Sequence, residues 1–322
     1  MGVDLGGSKI LSAVVDSRGK ILASDYRPTQ AGKGVDVVIN NILKSAHTAV
    51  KKTGIPFTQI AAIGLGAPGI SNPKNGIIYR SPNLTGWHNI PLRDIIANRF
   101  KREVFLINDA NAAALGEMKY GAAKGYRNFI YLTISTGIGG GIVINGKLYT
   151  GANGMAGEVG HIVVEPDGMP CNCGGAGCWE QYASGSAIAR RAREQIQQGI
   201  KTQLLKLADG DLDKIDALLI KKAAEQGDKL ARKLIAETAR YLGIGLGSLI
   251  NIFNPELIVL GGGLTKIGDT LLKPAFQEAS RRSYQDAYKT VRFALAELGD
   301  NSGVLGAAVY ARNELKKLRK TN

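Results

Sequence analysis

A strand, a glycine-rich loop and a second strand follow one another twice in this chain, at residues 1–15 and 129–145. In both places the apolar runs are short and glycines separate them, as in strands joined by a tight turn. Apolar residues at helical spacing occupy 35–53 and 110–120. This recurrence predicts two similar α/β halves with a ligand bound between them.

The length and composition agree with two globular domains. The chain has 322 residues, which is long for one hydrophobic core. Its 44% content of hydrophobic residues excludes a disordered protein. The 42 glycines are about 13% of the chain, against ~7% in an average protein. Their excess lies in short clusters, which indicates turns and loops that face a ligand.

No stretch of the sequence predicts a membrane segment or an export signal. No run approaches the ~20 apolar residues that a bilayer crossing needs, and no basic segment followed by an apolar one begins the chain. We therefore expect a cytoplasmic protein. The first strand begins at Met1, which leaves open a longer native N-terminus.

The formal net charge of +14 is high for a chain of this size. It favours anionic partners such as nucleotide phosphates or nucleic acid, although a basic but solvated surface is the simpler explanation. Lys and Arg are spread along helical stretches such as 190–193 and 229–233. They form no dense basic arm of the kind that binds nucleic acid.

The first glycine loop has the composition of a phosphate-binding loop. Adjacent glycines let backbone N–H groups converge on an anion, Ser8 adds a hydroxyl donor, and Asp4 is placed to hold a metal ion through water. An ordinary hairpin turn is the alternative. The residues are Asp4, Gly6, Gly7, Ser8 and Lys9.

Two further glycine clusters follow apolar strands. The loop at 135–141 offers the same backbone donors, but a strand follows it, which excludes a Rossmann site, and Leu148 replaces the Ser or Thr of a P-loop. The triple glycine after the strand 257–260 permits close approach of a flat ligand such as adenosine. The residues are Thr136, Gly137, Gly139 and Gly140 in one loop, and Gly261, Gly262 and Gly263 in the other.

All three cysteines lie within eight residues and follow a histidine. The spacing of His161, Cys171, Cys173 and Cys178 is H-x9-C-x-C-x4-C. Three thiolates and an imidazole make a closed tetrahedral zinc site, which leaves no position for an activated water. An odd number of cysteines argues against a disulfide framework. The sequence therefore predicts a structural Zn²⁺ in a reducing compartment.

Carboxylates flank the ends of strands and the cysteine cluster. Asp109 follows the apolar strand 104–107 and opens a helix, so it is either an N-cap or a general base for an attacking hydroxyl. Glu158 and Glu180 bracket the cysteines, where a rigid metal loop would present them to the hydroxyls of a sugar. For Trp87 we expect core packing.

These segments together resemble the ROK family of bacterial sugar kinases and repressors over nearly the whole chain. The carrying motifs are DLGGSK, NDANAAALGE, STGIGGG, GEVGH with CNCGGAGCWE, and LGGG. The resemblance implies a two-domain α/β fold of the actin-like or hexokinase-like (ribonuclease H-like) type, with the ligand cleft between domains. It places 1–109 and the helix 303–322 in a smaller domain, and 110–302 in a larger one. Ser8 stands where the family usually has Thr.

The resemblance also implies the roles of the residues. Asp109 is the expected catalytic base, the first two glycine loops hold the phosphates of ATP with Mg²⁺, and the third meets adenosine. The expected sugar contacts are Asn83, Asn108, Asp109, Glu158, His161 and Glu180.

The zinc-loop segment resembles glucokinases most, so the expected reaction is phosphorylation of glucose by ATP. Fructose, mannose, N-acetylmannosamine and N-acetylglucosamine are the alternative substrates, and a sugar-sensing regulator without activity is the alternative class. Family repressors carry an extra N-terminal DNA-binding domain, and this chain starts at the phosphate loop, so we do not expect nucleic acid as a partner. Family membership also predicts a homodimer or homotetramer.

Overall fold

Two five-stranded sheets and one three-stranded sheet organise the chain. The structure is a computed structural model that describes residues 1–81 and 84–321. The strands are β1 (Gly2–Leu5), β2 (Lys9–Val15), β3 (Ile21–Pro28), β4 (Ile63–Ala67), β5 (Ile70–Asn72), β6 (Ile77–Arg80), β7 (His88–Ile90), β8 (Val104–Asn108), β9 (Phe129–Ile134), β10 (Ile138–Ile144), β11 (Lys147–Tyr149), β12 (Leu257–Gly261) and β13 (Arg292–Leu295). The helices are α1 (Val35–Thr53), α2 (Leu92–Phe100), α3 (Asp109–Tyr120), α4 (Glu180–Ala183), α5 (Gly185–Gln197), α6 (Leu204–Leu207), α7 (Ala217–Glu225), α8 (Lys229–Phe253), α9 (Asp269–Arg282), α10 (Gln285–Thr290) and α11 (Ser302–Thr321).

The two large sheets have matching strand orders. The first is β3-β2-β1-β4-β8 and the second is β11-β10-β9-β12-β13. Strands β1 to β3 pair antiparallel, and β1, β4 and β8 pair in parallel. In the second sheet β10 and β11 pair antiparallel, whereas β12 and β13 are parallel. The repeated strand, loop and strand pattern of the sequence therefore corresponds to two sheets with the same strand arrangement. This confirms the predicted fold class.

The chain forms two compact units. Unit 1 comprises Met1–Tyr131, Gly141–Gly157 and Ala296–Asn322, and unit 2 comprises Leu132–Gly140 and Glu158–Leu295. Whereas the sequence predicted a division after residue 109, α3 lies in unit 1 because it packs along α11.

The core of unit 1 lies between its sheet and the helices that cover it. Helix α1 occupies the predicted span, buries one face that includes Val38 and Ile42, and ends at Gly54 in the left-handed conformation (φ 75°). Strands β1 and β4 pack directly on the backbone of α11, since a Cβ on Gly2 or Gly64 would overlap a carbonyl oxygen of that helix. Trp87 is fully buried, as predicted.

Unit 2 is built around the long helix α8. Trp179 is 0% exposed, its indole N–H donates to the carbonyl of Tyr241 at 2.8 Å, and Gly245 leaves room for its ring. This contact fixes the end of the cysteine-containing segment to α8. In the part of the chain that the structure describes, no helix is long and apolar enough to cross a membrane.

Candidate active site

The first glycine loop lies in unit 1 and closes the hairpin of β1 and β2. The N–H of Gly6 donates to the carbonyl of Lys9 at 2.8 Å. Thr29, which is 0% exposed, holds both ends of the loop: its Oγ1 donates to the carbonyl of Gly6 at 2.7 Å, and its N–H donates to that of Ser8 at 2.9 Å. Thr29 is not predictable from the sequence, because it lies 23 residues from the loop it supports.

Asp4, on β1 directly before this loop, is an unusual acid. Burial raises its pKa to about 7, with further contributions from the negative charges of Asp109 and Asp300, while Lys9 opposes the rise. Nζ of Lys9 forms an ion pair with Oδ1 of Asp300 at 2.8 Å. Gly303 lies against Asp4, since a Cβ there would be 2.6 Å from its Oδ2. Unit 1 thus collects the carboxylates of Asp4 and Asp300 and the ammonium group of Lys9 beside the first glycine loop.

At the junction of β8 and α3, the structure excludes the N-cap role, one of the two roles that the sequence left open for Asp109. The N-cap is Asn108, in an extended conformation, with its Oδ1 accepting from the N–H of Asn111 at 3.1 Å. Asp109 is therefore the first residue of the helix and is not needed as its cap. Burial raises the pKa of Asp109, and the N–H of Ala110, which donates to Oδ1 at 2.8 Å, offsets part of that rise.

The four predicted zinc ligands converge in unit 2. One ligand atom from each of His161, Cys171, Cys173 and Cys178 lies within 4.8 Å of the others. Nδ1 of His161 is 3.6 Å from Sγ of Cys171, and the Sγ atoms of Cys173 and Cys178 are 3.6 Å apart. Two sulfurs on one tetrahedral zinc are separated by about 3.8 Å, so the donor set fits this ion.

The cysteine loop is a tight, glycine-dependent fold. The N–H of Cys171 donates to the carbonyl of Gly175 at 2.8 Å, and Gly177 (φ 71°) leaves no room for a side chain beside the carbonyl of Glu165. Burial raises the pKa of the Cys171 thiol, and raises that of Cys178 to about 12. A bound cation would hold both as thiolates.

Glu180 connects the cysteine cluster to the second glycine loop. Its Oε1 lies 3.8 Å from Nδ1 of His161, and its Oε2 accepts from the N–H of Ile138 at 3.4 Å. Gly137 lies directly on this carboxylate, as a Cβ there would be 2.6 Å from Oε2. Glu158 precedes the short 3-10 helix Val159–His161, so it is carried on the same segment as the histidine.

The second and third glycine loops are neighbours within unit 2. Gly262 (φ 91°) packs on the backbone of Ile134, where no side chain would fit, and Gly263 lies near the hydroxyl of Ser135. Within the second loop, the N–H of Ser135 donates to the carbonyl of Gly137 at 2.9 Å and closes the turn at 135–137.

The predicted residues therefore fall into two groups, one in each unit. Unit 1 holds the first loop with Asn108 and Asp109, and unit 2 holds the other two loops, the cysteine cluster, Glu158 and Glu180. Asn83, predicted as a sugar contact, lies outside the described residues.

Comparisons with known proteins cover almost the whole chain. The protein-family model described as the ROK family matches residues 1–314. A glucokinase of Halalkalibacterium halodurans is 39% identical, with 100% of this chain and 97% of that protein aligned. A glucokinase of Thermotoga maritima is also 39% identical, over 98% of each chain. A solved ROK family glucokinase from Streptomyces griseus, in complex with glucose and AMPPNP, has a TM-score of 0.85 at 38% identity, covering 97% of this chain and 98% of that one.

Proposed function

Because this chain belongs to the ROK family, we propose that it is a glucokinase, which transfers the γ-phosphoryl group of ATP to the 6-hydroxyl of glucose. Similarity to glucokinases along nearly all of the chain supports glucose over the other hexoses. The observation that carries the proposed chemistry is the partly buried carboxylate of Asp109 at the start of α3, relieved of the capping role by Asn108.

In this reaction Asp109 is the general base. The oxygen of the sugar hydroxyl forms a bond to the γ-phosphorus, the bond from that phosphorus to the oxygen of ADP breaks, and the hydroxyl proton passes to the carboxylate. Burial supports this role, because a raised pKa makes the carboxylate of Asp109 a stronger base than an ordinary aspartate.

We assign the phosphates of MgATP to the glycine loops. Backbone N–H groups and the positive charge of Lys9 would offset the phosphate charge, and Asp4 would hold Mg²⁺ through water. The buried clamp by Thr29 supports the first loop as a preformed site. The residues are Asp4, Gly6, Gly7, Ser8, Lys9, Thr136, Gly137, Gly139 and Gly140, with Gly261, Gly262 and Gly263 for adenosine.

We further propose that the cysteine cluster holds a structural Zn²⁺. When bound, the ion fixes the loop and takes no part in the reaction, since the protein supplies all four ligands. Nδ1 of His161 faces the cluster, which leaves Nε2 for a sugar hydroxyl. The need to keep these thiols reduced supports a cytoplasmic location. The other proposed sugar contacts are Asn83, Asn108, Glu158 and Glu180, and the homodimer or homotetramer stays a prediction.

Replacement of Asp109 tests the proposed mechanism. We expect Asp109→Asn to lower kcat by about 10²- to 10⁴-fold, because the amide cannot accept the proton. Calorimetry should show that the variant still binds glucose. Asp36→Asn, an exposed aspartate in the first turn of α1, is the matched control.

Near-normal turnover by Asp109→Asn would rule out this base. The substrate is tested separately by following ATP turnover with glucose, fructose, mannose, N-acetylmannosamine and N-acetylglucosamine. If glucose is not among the best of these, the proposed substrate is wrong, whereas the role of Asp109 stands or falls with the variant.

A further inference from the structure

The carboxylate of Glu117, near the end of α3, is fully buried, and the proposed chemistry does not use it. Burying a carboxylate is costly unless hydrogen bonds satisfy its oxygens. Glu117 accepts four. Oε2 accepts from the N–H groups of Ala122 at 2.9 Å and Glu297 at 3.2 Å, and Oε1 accepts from the N–H of Leu298 at 3.0 Å and the hydroxyl of Ser302 at 2.7 Å.

Three of these four bonds go to one distant segment, which we call the 297–302 turn. The partners lie 180 to 185 residues away along the chain. A buried acceptor with several charge-assisted bonds fixes the backbone that donates to it. Glu117 therefore determines where the 297–302 turn lies against α3.

The 297–302 turn carries the partner of the lysine in the phosphate loop. Asp300, in the middle of the turn, forms the 2.8 Å ion pair with Lys9. The side chain of Asp300 is 86% exposed, so its position depends on the backbone that carries it. A change in the turn would therefore be passed to Lys9.

The C-terminal end of the 297–302 turn also lies beside Asp4. Ser302 is the first residue of α11, and Gly303, the next residue, packs on the carboxylate of Asp4. Because a Cβ at Gly303 would already be too close to that carboxylate, a small displacement of this helix start changes the surroundings of Asp4. The positions of Lys9 and Asp4, the two charged residues beside the phosphate loop, thus depend on a segment that Glu117 holds in place.

We propose that Glu117 is a positioning residue for the nucleotide phosphates, which acts through the 297–302 turn on Lys9 and Asp4. The proposal rests on the proposed kinase function, because it takes the first glycine loop as the site of the ATP phosphates. It predicts that loss of the Glu117 carboxylate weakens ATP binding and leaves glucose binding in place. A residue that only stabilised the fold would instead lower the melting temperature without separating the two substrates.

Two single variants and their combination test the proposal. Glu117→Gln places an amide N–H₂ where a carboxylate oxygen accepts, and Asp300→Asn removes the ion pair at an exposed position, which should not prevent folding. We expect each to raise the KM for ATP by about two- to fivefold, the size of effect that one partly exposed ion pair can have, and to change the KM for glucose by less than about twofold. The double variant should be no worse than the stronger single one, because both act on one path. Glu314→Gln, which removes a carboxylate on α11 outside the 297–302 turn, is the control.

Equal increases in both KM values, or additive effects in the double variant, would overturn the proposal. So would unchanged KM values for Asp300→Asn together with a lowered melting temperature for Glu117→Gln. Calorimetry with AMPPNP in the absence of sugar separates this result from the proposed function. If the wild type binds AMPPNP but phosphorylates no glucose, the substrate assignment fails while the affinities of the variants still decide the role of Glu117. A wild type that binds no AMPPNP contradicts both proposals.

Discussion

Asn108 and Asp109 are adjacent polar residues with different roles. The roles differ because Asn108 has an extended backbone, whereas Asp109 is the first helical residue. Asn108 is extended (φ −62°, ψ 144°) and directs its amide oxygen to the N–H of Asn111. Asp109 is already helical, so its carboxylate is left for other partners. Any substitution at Asn108 that removes the cap would therefore also disturb the orientation of the proposed base.

Asp4 makes the stability of the protein dependent on pH in a direction opposite to that of an ion-paired acid. Its folded-state pKa is about 7, raised above the ordinary value. Between about pH 4 and pH 7 the folded protein thus binds a proton that the unfolded chain releases, and stability falls as pH rises. We expect Asp4→Asn to flatten this fall and to stabilise the ligand-free protein at about pH 8.

Urea unfolding of wild type and variant at several pH values measures this difference. The same pH slope in both proteins would contradict the raised pKa of Asp4. The variant should also have a higher KM for ATP, since the amide replaces the group proposed to hold Mg²⁺.

Single residues were predictable where their partners are near in sequence. The cysteine cluster spans 18 residues from His161 to Cys178, and Asp109 follows its strand directly. Thr29, Glu117 and Asp300 gave no such indication, because each acts on a segment that is distant along the chain. A Thr after a strand or a Glu in a helix looks ordinary until the tertiary contact is known.

Among the elements, α4 and α5 set the shape of the cysteine loop. Arg190 on α5 donates to Oε1 of Gln181 at 2.9 Å, to the carbonyl of Gln181 at 2.7 Å and to the sulfur of Met169 at 3.0 Å. Nε2 of Gln181 in turn lies 3.6 Å from Sγ of Cys171. Met169 precedes the cysteines and Gln181 follows them, so one guanidinium joins both ends of the loop.

Removal of that guanidinium should loosen the proposed zinc. We expect Arg190→Ala to bind zinc about 10- to 100-fold more weakly, as substitution of groups that orient metal ligands commonly does, and therefore to release it faster. Transfer of zinc to a colorimetric chelator measures the rate without any enzyme assay. Arg193→Ala, on the same helix, is the matched control, and equal rates in the two variants would refute the role of Arg190.

Long periodic elements were predictable and short ones were not. The spans of α1 and α3 follow the predicted helical spacing, and α11 begins at Ser302, one residue before the predicted start at 303. The three-stranded sheet of β5, β6 and β7 was missed, since its strands are three or four residues long and lie among Gly, Pro and Asn. Helix α9 contains Pro274, which obscured its periodicity.

At the scale of the whole molecule, the positive charge is distributed unevenly. Unit 1 contains 23 Lys and Arg against 11 Asp and Glu, and unit 2 contains 18 against 16. Unit 1 thus carries +12 of the net +14. This unit also contains the first glycine loop, so the excess favours an anionic substrate at that loop.

The charge of unit 1 predicts how salt affects the two substrates. The KM for ATP should rise with ionic strength, because salt screens the attraction between exposed charges over about 10 Å at 0.1 M. Glucose is neutral, so its KM should stay nearly constant and serves as the internal control. Steady-state kinetics in low and high KCl measures both, and parallel changes would show that the charge of unit 1 does not act on ATP.

The two α/β halves were predictable, but the assignment of segments to units was not. Residues 110–131 and 141–157 lie in unit 1, although they follow the predicted boundary in sequence. Contacts such as those of α3 with α11 decide this, and they join residues that no local pattern relates.

The backbone contact of α11 with Gly2 and Gly64 has a consequence for biosynthesis. As the ribosome extends the chain, β1 and β4 emerge before α11, and the face that they turn to α11 stays uncovered until that helix has left the exit tunnel. The continuous segment of unit 2, 158–295, emerges before that helix and has the chance to fold first. The first glycine loop, which is translated before all of unit 2, is therefore completed only after unit 2 has been made.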